Sequence, residues 1–149
     1  MVLNLRDGAI VLFLVILDQA TKAWARAVEP NNILFQLTYN TGAGFGILQG
    51  KNIILLVISI IVLILLAKPL SETSGREKFA YLALGAGIIG NSIDRVSIGA
   101  VTDFISVGTF PIFNVADSLI TLSILYLVAR GLKESFSSWN FKRKGKKTN

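Results

Sequence analysis

Neither cysteine nor histidine occurs in the 149 residues, and only 16% of them are charged. Without cysteine there is no disulfide, no thiol nucleophile and no zinc–thiolate site, whatever the compartment. Without histidine, Ser–His and Cys–His catalysis are excluded as well. Any chemistry must rest on carboxylates, lysine, hydroxyls or amides, and no metal or cofactor is expected. Apolar residues fill the gap, at 52% of the chain. That balance is too apolar for an ordinary soluble domain and points to a bilayer. The net charge of +6 raises nucleic acid as a partner, but five of the fifteen basic residues crowd into the last eight positions, KRKGKKTN. A terminal cluster of this kind is a solvated tail facing anionic lipid, and no nucleic-acid partner is expected.

Four apolar stretches organise a chain with room for one domain, residues 1–149. They are GAIVLFLVILDQATKAWA (8–25), NIILLVISIIVLILLA (52–67), FAYLALGAGIIGNSI (79–93) and IFNVADSLITLSILYLVA (112–129). Spanning takes ~20 residues, or ~17 at the short end. The second stretch reaches this with its flanks and the third stays short, its glycine and alanine suiting close helix packing in lipid. The expected fold is an all-α integral membrane protein with four transmembrane helices at about 8–25, 50–68, 79–94 and 112–130. Outer segments cover 26–49 and 96–111, and a basic cytoplasmic tail covers 131–149. The first stretch competes with a cleaved secretory signal, given Arg6, the apolar run and AWA at 23–25. Asp18 and Lys22 interrupt that pattern, so a retained helix is expected.

With both termini cytoplasmic, the inner side collects Arg6, Lys68, Arg76, Lys78 and the seven basic residues from Arg130 onward. Only Lys22, Arg26, Lys51 and Arg95 remain outside, the asymmetry expected of a multi-pass protein in this orientation. In the outer segments, LFQLTYN (34–40) alternates apolar and polar residues with a strand-like period of two. AVTDFISV (100–107) also reads as a strand, with Val101, Asp103, Ile105 and Val107 on one apolar face. NTGAGFGILQG (40–50) between the first two helices is a glycine-rich, conformationally unusual loop.

Helical rise then locates the acids. Asp117 lies thirteen residues outward of Arg130, ~20 Å. Asp94 lies sixteen residues beyond Lys78, ~24 Å out, and Asp18 ten beyond Gly8, ~15 Å out. Asp103 belongs to the outer loop. A carboxylate at such depth either marks function or forms an internal ion pair. Asp18 and Lys22, four apart on one helical face, suit a structural pair. Asp94 adjoins Arg95, a ready local counterion, although sequence neighbours need not face each other. Asp103 and Asp117 have no basic residue within four positions. Burial and mutual repulsion would leave such a pair sharing a proton, the active unit of aspartic proteases, while an ion pathway uses intramembrane acids equally well. Asn91 and Asn114 stand three residues before Asp94 and Asp117, on the same helical faces, where they could hold a carboxylate or donate to an oxyanion. Helix N-capping is the plainer role for Asn114. Two other classes fit part of this pattern: a transporter relaying protons through Asp18, Asp94 and Asp117, and a small pore-forming protein.

Five short motifs decide the comparison: DQATK (18–22), NTGAGFG (40–46), GNSIDR (90–95), VTDFI (101–105) and FNVADS (113–118). In this order on one chain they resemble the bacterial lipoprotein signal peptidases, the type II enzymes, over essentially the whole length. The resemblance implies catalytic aspartates at Asp103 and Asp117. It implies supporting or substrate-contacting roles for Asp18, Lys22, Asn40, Gly42, Asn91, Asp94, Arg95 and Asn114. It further implies a small extramembrane β-sheet cradle and an active site near the outer face of the bacterial inner membrane; a monomer embedded in membrane lipid is expected. The implied reaction cuts a diacylglyceryl-modified prolipoprotein before its lipidated cysteine, and globomycin is the implied inhibitor class. The chain departs from the family at AGIIGN (86–91), where Ala86 replaces a glycine and Ile88 an alanine, and at Gly44, where alanine is usual.

Overall fold

The computed structural model describes residues 4–43 and 47–145, with backbone alone at 138 and 140–145. Residues 44–46 of the glycine-rich loop and the last four residues of the basic tail lie outside the described residues. Six elements follow one another: α1 (Leu5–Val28), β1 (Phe35–Asn40), α2 (Asn52–Glu72), α3 (Gly75–Ser97), β2 (Val101–Ile105) and α4 (Val115–Gly145).

α1 starts ahead of its apolar run because Asn4 caps it. Asn4 Oδ1 accepts from the Asp7 N–H at 2.9 Å and Asp7 Oδ2 accepts from the Asn4 N–H at 3.3 Å, closing a reciprocal capping box. The helix continues unbroken through Asp18 and Lys22 and stops where Glu29 turns left-handed, with φ of 48°. α2 is apolar around its whole circumference and buries only Leu55 and Leu66, as a helix facing hydrocarbon does. It passes through Pro69 to end at Thr73, whose N–H and hydroxyl both donate to the Pro69 carbonyl, at 3.0 and 2.7 Å.

α3 is the pillar. It packs against α1, α2 and α4, and the run Leu82–Ile88 is buried without interruption. Small residues make this approach possible. A Cβ at Gly87 would lie 2.6 Å from the Ala116 carbonyl oxygen, and one at Gly90 would lie 2.5 Å from Asp18 Oδ2. At the start of α3, Lys78 pairs with Asp7 at 2.6 Å and Arg130 with Glu77 at 2.9 Å, tying α3 to α1 and α4.

Among the described residues, three helices are long and apolar enough to cross a membrane: α1, α2 and the Val115–Ser137 part of α4. α3 does not meet that measure, in contrast to the four spans expected. Charges at both of its ends and small residues between them lower its hydropathy, and small residues are what a helix enclosed by others requires. α4 runs to Gly145, beyond the expected end near 130. The apolar run stops at Arg130, but lysine, arginine and glutamate are good helix formers, and Arg130 binds Glu134 one turn on at 2.9 Å.

β1 and β2 form a two-stranded antiparallel sheet in which Thr38 faces Asp103, Tyr39 faces Thr102 and Asn40 faces Val101, with an irregularity between Phe35 and Thr38. The single apolar face expected for β2 is corrected: Val101, Thr102, Asp103 and Phe104 are all buried, so helices and loops cover both faces. Asp103 owes its burial to this double cover.

Gly87→Ala is expected to destabilise the protein by about 1–3 kcal/mol, the usual range for overpacking, because a backbone carbonyl blocks the methyl. Gly131→Ala, with nothing within 4 Å of its Cβ, is expected to be neutral or stabilising. Thermal unfolding of both variants in detergent checks the contrast.

Candidate active site

Asp103 is fixed from both sides along its own strand. Thr102 donates its N–H to Asp94 Oδ2 at 2.8 Å and receives Arg26 Nη1 on its hydroxyl at 2.8 Å. Phe104 packs edge-on against Trp24 at a centroid distance of 6.0 Å, and Trp24 meets Phe35 of β1 in the same way at 5.7 Å. The sheet is thereby pinned to α1 and α3, and the side chain between those anchors, Asp103, is 2% exposed.

Asp117 enters from the first turn of α4. Asn114 caps that helix: its Oδ1 accepts the Asp117 N–H at 2.9 Å, and Asp117 Oδ2 accepts the Asn114 N–H at 3.2 Å. The capping role and the carboxylate-holding role coincide in this residue. While Oδ1 caps, Nδ2 donates to Asp103 Oδ1 at 2.6 Å and to Asn91 Oδ1 at 3.2 Å. Asn91 Nδ2 donates to Asp117 Oδ1 at 2.8 Å, and Asn40 Nδ2 to Asp103 Oδ2 at 3.1 Å. All four carboxylate oxygens therefore carry a neutral N–H donor, and among the described residues neither acid joins an ion pair.

The cations are held one step away. Lys22 is 0% exposed and lies 2.9 Å from Asp18, 3.8 Å from Asp94 and 2.9 Å from Asn91 Oδ1. Arg26 stands 3.6 Å from Asp94. Two acids and two bases thus cancel within one cluster, buried except for the half-buried Arg26, and Asp18 Oδ1 also accepts the Ala116 N–H at 2.9 Å, joining the cluster to the start of α4. The pair expected from Asp18 and Lys22 is present. The Asp94–Arg95 pair is corrected, since the counterions of Asp94 are Lys22 and Arg26. Consecutive helical residues point about 100° apart, and Arg95 turns instead toward the loop, donating to the Gly42 carbonyl at 2.9 Å and weakly to the Asn91 carbonyl at 3.4 Å. Asn91 likewise serves Asp117 across the helix interface rather than Asp94 three residues on. Gly42 completes the loop anchor by donating its N–H to Asn40 Oδ1 at 2.8 Å.

A cavity of about 340 Å³ brings the acids together; Asn40, Gly42, Asn91, Arg95, Asp103 and Asp117 all line it. Asp18, Lys22 and Asp94 support it from behind. The remaining wall is mostly apolar, from α2, Ile88, Ile120 and the segment Phe110–Phe113, with Ser59 and Thr121 adding hydroxyls. Ile88, the larger residue at one departure from the family pattern, fills part of that wall. Burial pushes the Asp103 carboxyl up to about 7, assisted by the negative charge of Asp117, while the amides of Asn40 and Asn114 act in the opposite direction. Such a pair can take a proton from water with one member and deliver one with the other.

Sequence reasoning passed over Arg26 and Thr102, and the α2 wall. The spacing 18, 22, 26, one helical face in steps of four, was the available signal for Arg26. The α2 wall carries no charge and gave none.

The sequence matches the family described as Signal peptidase (SPase) II over residues 10–133. A lipoprotein signal peptidase from Caldicellulosiruptor bescii is 38% identical over 144 residues, covering 91% of this chain and 96% of that protein. One from Dehalococcoides mccartyi is 44% identical over 120 residues, covering 72% and 73%. A solved bacterial membrane enzyme superposes with a TM-score of 0.79 at 34% identity, covering 87% of this chain and 89% of that one. The transporter and pore readings find no support among these relatives. The chain belongs to the signal peptidase II family of membrane proteases.

Proposed function

We propose that this protein is an aspartic endopeptidase that removes the signal peptide from diacylglyceryl-modified prolipoproteins, cutting before the lipidated cysteine. The observation that carries the reading is the cavity shared by buried Asp103 and half-buried Asp117, two acids held by amides and, among the described residues, free of ion pairs. The names of the relatives, lipoprotein signal peptidases, supply the substrate class.

In this reading Asp103 serves as the acid and Asp117 as the base, burial raising the affinity of Asp103 for the proton that the coupled pair shares. Asp117 takes a proton from the attacking water while Asp103 donates to the carbonyl oxygen; collapse of the tetrahedral intermediate returns a proton to the leaving nitrogen and the roles exchange. The two titrate as one system. The amides of Asn40, Asn91 and Asn114 fix both carboxylates without neutralising them. Asn40 and Gly42, tied to Arg95, hold the loop that borders the cavity, within reach of substrate.

The chain sits in the bacterial inner membrane as a monomer with both termini in the cytoplasm, and α3 crosses with the other three helices, shielded by them. The site then opens near the outer face, beneath the sheet, where lipid can retain the substrate's acyl chains and globomycin-type compounds can occupy the peptide's place. One domain spans the whole chain.

Asp103→Asn and Asp117→Asn, made separately, are each expected to give folded protein with cleavage of a lipidated precursor reduced by at least about 10³-fold; if Asp103→Asn cleaves normally, the reading fails. Since the proton on Asp103 is lost as pH rises through about 7, kcat/KM is expected to fall on the alkaline side with a midpoint near there. A profile level through about pH 9 would contradict it. Lys22→Met strands Asp18 and Asp94 with too little positive charge and is expected to cost about 3–5 kcal/mol in thermal unfolding, the range for a broken buried pair.

A further inference from the structure

From the two aspartates the cavity continues inward between α2 and α4. Leu55, Ile58 and Ser59 of α2, Ile120 and Thr121 of α4 and Ile88 of α3 line this part. Thr121 is four residues beyond Asp117 on the same face of α4, ~6 Å deeper. Ser59 is seven residues along α2 from its outer end at Asn52, ~10 Å in.

These hydroxyls behave unlike several others in the helices. Thr21, Ser71, Ser92, Ser97 and Ser118 each donate to a backbone carbonyl three or four residues back, satisfying themselves within their own turn. Among the described residues neither Ser59 nor Thr121 has a hydrogen-bond partner, and both line the cavity. Two such hydroxyls, one from α2 and one from α4, in an otherwise apolar part of the groove are suited to a ligand that is apolar in its side chains and polar in its backbone.

A peptide bond wound into a helix is closed to attack, because its carbonyl is bonded and its flanks are wrapped. The segment that reaches the aspartates must be extended, and an extended backbone in hydrocarbon leaves N–H and C=O groups without partners, which is costly. We propose that Ser59 and Thr121 hydrogen-bond the unwound backbone of the signal peptide on the N-terminal side of the cut, while an apolar side chain of that segment lodges against Leu55, Ile58, Ile88 and Ile120. The assignment rests on the peptidase reading and its orientation. A substrate with its N-terminus inside places the residues before the cut inward of the aspartates, at the depth of these hydroxyls, and the lipidated residue on the other side. The two residues position substrate and decide which segments are accepted; they do not touch the reacting atoms.

The test uses the full chain, purified in lipid, with a lipidated precursor peptide and a second precursor in which an ester replaces one backbone amide just before the cut, weakening its carbonyl as an acceptor. Ser59→Ala combined with Thr121→Val is expected to raise KM about tenfold, on the scale of one to two hydrogen bonds, with kcat within about twofold and the pH profile unmoved. On the unaltered protein the ester precursor is expected to raise KM about fivefold; on the double variant it should add almost nothing. Additive penalties, an unchanged KM, or a loss confined to kcat would overturn the proposal. The ester comparison on the unaltered protein needs no change of sequence, so it stands even if the double variant folds poorly; there, no KM penalty from the ester overturns the proposal. Failure of the peptidase reading shows itself separately, as no cleavage by the unaltered protein or continued cleavage by Asp103→Asn, and would remove both.

Discussion

Lys22 can only donate hydrogen bonds, and from 2.9 Å it dictates which end of the Asn91 amide faces it. With the Asn91 oxygen committed to Lys22, its nitrogen has to point at Asp117. Asn114 is oriented independently, because the Asp117 N–H claims its oxygen and leaves its nitrogen for Asp103 and Asn91. A donor-only ammonium and a donor-only backbone amide thus set the polarity of a chain of side-chain amides ending on both carboxylates. The amides also insulate. Were Lys22 in direct contact with Asp117, the acid would be paired and locked in its charged form; with Asn91 between them it is oriented and left without a counterion. Placement of two acids in a greasy protein without neutralising them is the constraint the rest of the structure serves.

That constraint explains the shape of the bundle. The cluster of Asp18, Lys22, Arg26 and Asp94 is tolerable at such depth because its charges cancel and its carboxylates collect further donors from Ala116, Gln19 and Thr102. To bring α1, α3 and the start of α4 close enough for those bonds, α3 must present glycine and alanine. Gly90 lies so near Asp18 that a single methyl would strike the carboxylate. The price is a central helix less apolar than its neighbours, which α1, α2 and α4 enclose. Large apolar residues are instead spread over α2 and the outer surfaces of α1 and α4, where Leu12, Phe13, Ile64, Leu65 and Leu125 are all exposed. In water such a surface would aggregate; in a bilayer it needs nothing further.

Much of this was legible in the residues. The helices announce themselves by apolar length, and the two unpaired acids by the lack of a basic neighbour, which the folded chain preserves. The Asp18–Lys22 pair follows from a spacing of four. Less legible were relationships that depend on side-chain direction across elements. Asp94 and Arg95 are adjacent in sequence and face different ways; Asn91 crosses to another helix; β2 is covered on both sides, which an alternation pattern cannot express. α4 continues past Arg130 because hydropathy marks where lipid stops, not where a helix does. The α2 wall of the cavity stayed invisible because apolar residues facing a groove and apolar residues facing lipid look alike.

The central claim is that Asp103 and Asp117 share their environment closely enough for the charge of one to hold a proton on the other. Carbon-13 carboxyl NMR of the labelled protein in lipid particles, titrated with and without Asp117→Asn, tests it most directly. Asp103 should titrate at about 7 in the unaltered chain and clearly lower once the Asp117 charge is gone, with burial alone left to raise it. A midpoint in the ordinary aspartate range near ~3.9 in the unaltered chain, or one indifferent to Asp117, would contradict the account.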